Sequence, residues 1–257
     1  MDCRPVVFRV VRFFRPGTFR DLRQFVKLNG RSFAGRMGLA LAMLAASCLG
    51  SVADHALAED ARDGAARAKP PGWISLFDGQ SLQGWKSSNF GGEGQVRAED
   101  RRIVLDFGDS LTGIVWTQDF LRQDYELRLQ AMRVDGIDFF CGLTFPVGSS
   151  HCSLIVGGWA GALVGLSSID GRDASENETT QYEKFERGKW YRIRVRVTAQ
   201  RIRCWIDDRQ IIDQELRGRR IDTRPEMDLS KPLGIAAWQT KAALRGIEYR
   251  RLGEDER

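Results

Sequence analysis

Four carboxylates, an amide and a guanidinium fall within nine residues of this chain, in Asp170-Gly-Arg-Asp-Ala-Ser-Glu-Asn-Glu178. Lys184 follows closely. A carboxylate beside fixed donors is the equipment for taking a proton next to a carbonyl: the base accepts the proton and the donors hold the enolate oxygen. On that reading Glu176 or Asp170 is the base, and Asn177 with Lys184 binds the oxyanion. The same composition also describes a solvated turn. The same oxygens would suit calcium or another divalent metal, although no EF-hand spacing is present. No cofactor is certain from the sequence, and no residue is assigned as a metal ligand.

A second candidate is Val156-Gly-Gly-Trp-Ala-Gly161. Glycines let another group approach the backbone closely, so Trp159 either offers its ring to a ligand or turns into the core. Trp205 and Trp238 fall on strand-like runs and either line a groove or pack as core and rim. His151 is a lone histidine in a loop. Asp207-Asp208 reads as turn chemistry. No Cys-x-x-Cys occurs and only one His follows the leader, which argues against a zinc site of ordinary spacing. Cys141 and Cys152 flank Pro146-Val-Gly-Ser-Ser150 and are read either as a disulfide across a hairpin or as two buried thiols.

These residues need a scaffold, and residues 189–215 show its kind. Tyr191, Ile193, Val195 and Val197 alternate with Arg192, Arg194 and Arg196, which is a strand period. Ile202, Cys204 and Ile206 alternate with Arg201, Arg203 and Trp205, a polar break of hairpin length follows at 207–209, and Ile211 and Ile212 start a third run. One face is apolar, so a second layer must cover it. Further strand candidates fall at 95–98, 102–107, 113–116, 125–132, 137–145, 152–156, 163–169, 233–240 and 244–252. Residues 219–230 read as irregular, because Pro225 opposes a strand there. Many short strands without a helical pattern or a repeat predict an all-β protein, a two-sheet antiparallel β-sandwich over residues 72–253.

The chain carries 39 Lys and Arg against 34 Asp and Glu. Nine of the basic and three of the acidic residues precede Glu59, which leaves 30 and 31 beyond it. The basic excess is thus a property of the leader, and the remainder gives no electrostatic case for nucleic acid. Arg31 and Arg36 precede the apolar run 37–46, and Ala56-Leu57-Ala58 fits signal cleavage, so residues 1–58 read as an export signal. Residues 59–71 read as a disordered linker. The apolar run is short for a bilayer span. The expected location is periplasmic or extracellular. Lipid anchoring at Cys48 is the lesser reading, because its Leu stands one place too early; Met37 is an alternative start.

Trp73-Ile-Ser-Leu-Phe-Asp-Gly-Gln-Ser-Leu-Gln-Gly-Trp85 resembles the opening signature of the 3-keto-disaccharide hydrolase domain family, and Ala243-Leu-Arg-Gly-Ile-Glu-Tyr-Arg-Arg-Leu252 resembles its closing strand. The resemblance spans residues 73–252. It implies a concanavalin A-like jelly roll, two curved antiparallel sheets with a carbohydrate groove on the concave face. It also implies cleavage of 3-keto-disaccharides or related oxidised glycosides by an exported bacterial enzyme. A non-catalytic carbohydrate-binding or adhesion module on the same fold is the alternative. A conventional glucanase is disfavoured, since its Glu-x-Asp-x-x-Glu motif is missing. Residues 139–180 depart from the family pattern, and the resemblance supplies no catalytic residues.

Overall fold

The structure, a computed structural model, describes residues 72–257. The expected export signal and linker lie outside the described residues. Fifteen strands form: β1 Ile74–Ser75, β2 Trp85–Ser87, β3 Val96–Glu99, β4 Arg102–Leu105, β5 Leu111–Trp116, β6 Tyr125–Gly136, β7 Cys141–Val147, β8 Ser150–Gly158, β9 Leu163–Ser167, β10 Gln181–Tyr182, β11 Trp190–Val197, β12 Arg201–Ile206, β13 Arg209–Glu215, β14 Gly234–Trp238 and β15 Thr240–Arg251. Pro225–Ser230 is a 3-10 helix. No helix among the described residues is long and apolar enough to cross a membrane.

The strands make two antiparallel sheets, the expected β-sandwich. One has eight strands in the order β13-β12-β11-β6-β15-β4-β3, with β1 also on β15; the other has seven, β10-β9-β8-β7-β14-β5-β2. In the eight-stranded sheet the period-two pattern decides the faces. Tyr125, Leu127 and Leu129 on β6, Ile193, Val195 and Val197 on β11, and Ile202 and Cys204 on β12 point into the inter-sheet core. Arg194, Arg196 and Trp205 take the outer face, where Arg194 lies 4.1 Å over the Trp205 ring. The β12–β13 turn is two residues, Asp207 and Asp208, both with positive φ, the geometry that matches the twist of a tight hairpin. From the seven-stranded sheet Leu143, Phe145, Leu154, Val156, Leu166 and Ile235 close the same core. The Tyr125 hydroxyl donates to the Pro146 carbonyl at 2.7 Å, a bond between the two sheets.

The opening motif has a packing reason. Asp78 accepts from Gln80 N–H at 2.7 Å and Ser81 N–H at 2.8 Å, closing the turn. Gly84 has φ +81° and lies against the Trp116 ring, where a Cβ would collide. The Trp85 indole packs edge-on against Trp116 at 5.2 Å and donates to the Leu76 carbonyl at 2.7 Å.

The disulfide reading does not survive. Cys141 stands opposite Val156 and Cys152 opposite Phe145, so the sulfurs are separated along the hairpin far beyond the ~4 Å Cβ spacing that a bridge requires. All three described cysteines are free and buried. Burial pushes the Cys152 thiol up to about 12 and raises those of Cys141 and Cys204.

Candidate functional site

The outer face of the seven-stranded sheet carries small side chains: Gly142 and Thr144 on β7, Ser153 on β8, Gly165 and Ser167 on β9, and Ala236 on β14. That lets connecting segments lie close on the sheet. At Gly165 a Cβ would stand 2.7 Å from the Ala174 carbonyl, so only glycine admits the acidic loop there. Phe139, Met227 and Trp238 pack around Leu111 and Ala236 on the same face. Between these segments lies a cleft of about 290 Å³, lined by Asp138, Phe139, Ile155, Trp159, Ser167, Arg224, Glu226, Met227, Trp238 and Leu111.

Backbone and side-chain bonds hold the charged groups and the Trp159 turn in place. Trp159 and Ala160 have φ of 47° and 64°, and Gly161 has 104°. The turn closes with Gly161 and Ala162 N–H on the Gly158 carbonyl at 3.1 and 3.2 Å. Arg133 braces it from beneath by donating to the Gly157 and Gly161 carbonyls at 3.1 and 3.0 Å. Trp159 is left 44% exposed at the mouth. Trp238 ends β14, and its N–H donates to the Phe139 carbonyl at 3.0 Å. Asp138 accepts from Phe139 N–H at 2.7 Å and from Ala160 N–H at 3.4 Å.

Arg224 precedes the 3-10 helix and bonds both Glu226 oxygens at 3.0 and 3.3 Å, while its other nitrogen reaches Asp173 at 2.7 Å. The guanidinium lowers the Glu226 carboxyl, and Glu226 raises Arg224 in return. Asp173 is itself pinned by the Ser175 N–H and hydroxyl, at 2.8 and 2.6 Å. Ser167 Oγ is buried and has no hydrogen-bond partner.

The 3-keto-alpha-glucoside-1,2-lyase-like domain family matches residues 72–250. The chain belongs to that family. No curated protein matches it in sequence. Among solved structures it is similar to the carbohydrate binding module CBM66 from Bacillus subtilis, at 16% identity and TM-score 0.46 over 65% of this chain and 95% of that one. It is also similar to a non-specific endo-β-1,3(4)-glucanase of family GH16, at 10% identity and TM-score 0.47 over 72% and 94%. The VIP36 exoplasmic/lumenal domain in its Ca2+/Man3GlcNAc-bound form gives 10% identity and TM-score 0.48 over 72% and 90%. Likenesses at these scores decide neither substrate nor reaction.

Within this lyase-like domain the residues singled out by sequence separate. Trp159 and Trp238 line the one cleft. Lys184 lines a different cavity. Trp205 is on the outer face of the other sheet, under Arg194 and Arg196. Asn177 is buried inside the acidic loop, with its amide hydrogens on the Leu166, Asp173 and Arg172 carbonyls at 2.8, 2.6 and 3.2 Å. Its oxygen accepts from Thr179 N–H and hydroxyl at 2.9 and 2.6 Å. Such an amide has no donor left for an oxyanion. Asp170 accepts from Arg220 N–H at 2.8 Å and pairs with Arg219 at 3.1 Å. Glu178 also pairs with Arg219. Glu176 is exposed and makes no ion pair among the described residues. Neither Glu176 nor Asp170 lines the cleft.

No group of three or more His, Cys, Asp or Glu able to hold a metal ion occurs among the described residues. Asp138, Ser167, Arg224 and Glu226 escaped the sequence reading. Only the Arg-Pro-Glu step at 224–226 offered a signal, two charges flanking a proline in a segment read as irregular.

Proposed function

We propose that the domain binds a glycoside in the Trp159–Trp238 cleft and cleaves it by elimination when the sugar is oxidised at C3. The supporting observation is the make-up of the cleft: two indoles at its walls, carboxylates from Asp138 and Glu226 and the Arg224 guanidinium. Indole faces stack on the C–H faces of a sugar, while charged groups take its hydroxyls. The C3 ketone acidifies the C2 proton. Asp138 is the base that accepts it, and Arg224 is the fixed cation for the enolate oxygen. The enolate re-forms the ketone, C1=C2 forms and the C1–O bond breaks. The released oxygen takes up a proton, so the products are an unsaturated 3-keto sugar and an alcohol. Water added across the new double bond turns elimination into net hydrolysis. Family membership supports this chemistry.

A second reading, a carbohydrate-binding module without turnover, has its own support. Glu226 is tied to Arg224 by two bonds, and Asp138 already accepts two backbone N–H groups. Carboxylates so fixed also suit hydroxyl recognition.

The test is incubation of the purified domain with a 3-keto disaccharide and its unoxidised parent, with and without chelator. Release of the aglycone from the keto sugar alone supports the elimination. Binding of both sugars without turnover supports the module, and no binding of either defeats the cleft. We also propose export with a mature N-terminus at Glu59, which N-terminal sequencing of secreted protein checks.

A further inference from the structure

A second cavity, of about 600 Å³, opens on the other side of the Trp159 turn, with Arg133, Ile137, Tyr182, Lys184, Phe185 and Arg187 in its wall. Its charges are lopsided. Glu183 pairs with Arg209, and Arg187 pairs with Asp135 at 2.9 Å. Those pairs cancel. Two cations remain, Arg133 and Lys184, and neither has a carboxylate within ion-pair distance among the described residues.

Arg133 is the unusual member. It is only 6% exposed, yet it bonds backbone carbonyls alone: Gly161 at 3.0 Å, Gly157 at 3.1 Å, Asp138 at 3.3 Å and Phe185 at 3.4 Å. A guanidinium keeps its charge when buried. Carbonyl dipoles satisfy its hydrogens without neutralising it, and the Asp138 carboxylate favours its charge only from beyond ion-pair distance. The rim adds apolar surface, since Tyr182 is 72% and Ile137 69% exposed. A ring face beside cations that have no ion-pair partner suits a sugar bearing an anionic group.

The two cavities share their walls. Residues 136–139 put Ile137 on this side and Asp138 and Phe139 on the other; the next turn puts Trp159 in the first cleft and Ala160 and Gly161 in the second. The segment behind Lys184 hangs on the same turn, through Glu183 N–H on the Ala162 carbonyl at 2.8 Å. A ligand two or more sugars long that crosses the Trp159 turn reaches both.

We propose that the cavity over Arg133 and Lys184 is a subsite for a carboxylate-bearing sugar residue, adjoining the one held in the Trp159–Trp238 cleft, so that the preferred ligand is an acidic glycan. This rests on the carbohydrate reading of that cleft, not on its elimination chemistry.

The experiment compares binding of an α-linked glucosyl-glucose disaccharide with its two monocarboxylated forms, each carrying the carboxylate at C6 of one ring. Calorimetry is run on the full domain, unaltered and as Lys184→Glu, Tyr182→Ala and Trp159→Ala. One acidic form should bind roughly tenfold more tightly than the neutral parent, the scale of one charge-assisted contact. That preference should shrink as salt rises. Lys184→Glu should abolish the preference for the acidic form, while Trp159→Ala should weaken all three sugars. Lys184 is exposed, so this variant should keep the parent melting temperature; Arg133→Gln would also unbrace the turn and is therefore not the deciding variant. Equal affinity for the neutral and both acidic sugars overturns the subsite and leaves the first cleft standing, as does a preference that survives Lys184→Glu. Failure of every sugar to bind overturns both.

Discussion

Asn177→Ala should cost stability rather than a ligand contact. The Asn177 amide ties three carbonyls, those of Leu166, Asp173 and Arg172, and its oxygen takes the Thr179 N–H and hydroxyl. Thr179 Oγ1 in turn accepts the Leu166 N–H at 2.8 Å. One side chain thus fixes the acidic loop to strand β9. A net hydrogen bond contributes about 1 kcal/mol, and a buried group left without a partner costs about 1–3 kcal/mol. Alanine would strand at least the buried Leu166 carbonyl and the Thr179 N–H. The expected loss is therefore on the order of 3 kcal/mol. For a domain of this size each kcal/mol moves Tm by about 2–4 °C, so Tm should fall roughly 6–12 °C. Asn177→Asp should do at least as badly, since it sets a carboxylate against three carbonyl oxygens. The assay is calorimetric melting of the purified domain beside sugar binding by the folded variant. A Tm shift below about 2 °C with lost binding or turnover would refute the reasoning and return Asn177 to the ligand.

Asp138→Asn should lower turnover of a 3-keto glycoside by roughly 10²-fold or more, the usual scale for a general base, whereas Glu176→Gln and Asp170→Asn should turn over within a few-fold of the parent; rates measured on the four proteins check this, and the reverse order would place the base in the acidic loop. Val195 is fully buried between Leu127 and Cys204 in the sheet register, so Val195→Asp should cost several kcal/mol, and an unmoved melting temperature would contradict the burial. Cys141, Cys152 and Cys204 should resist a thiol reagent in the native state and react once denatured, with no mass change on prior reduction. The bond to Arg250 is the main cause that lowers the Glu256 carboxyl to about 2; because the folded value lies below the unfolded one, its stabilising effect is complete above pH ~4.5 and fades as pH falls toward 2. Acid melts of Glu256→Gln should therefore show a shallower pH slope than the parent in that window.

The eight-stranded sheet was legible because it has one dry and one charged face. Its inward residues alternate with arginines, and alternation survives in the sequence wherever one face meets solvent. The seven-stranded sheet hides its facing: every residue of Cys141–Val147 and of Leu163–Ser167 is buried. Loops cover its outer face, so glycine, serine and threonine there read as part of a continuous apolar run. The strand expected at 137–145 begins only at Cys141, and the residues before it form the connection that carries Asp138 and Phe139 into the cleft.

Composition made the acidic loop conspicuous, but charge alone does not place a site. Three of its four carboxylates, Asp170, Asp173 and Glu178, bond the Arg219 and Arg224 side chains and the Arg220 backbone N–H, partners some 40 to 50 residues along the chain that no local pattern pairs with them. What the loop contributes to the cleft passes through Asp173, which turns Arg224 toward Glu226. The loop therefore acts as a brace for the guanidinium, and the groups that line the cleft come from segments that the sequence reads as ordinary: a short connection before β7, a turn after β8 and the step into a 3-10 helix. A rigid sandwich with two nearly saturated faces has little room for function except where its connections meet. Here three of them meet over glycine and serine, the side chains small enough to leave a cleft beneath.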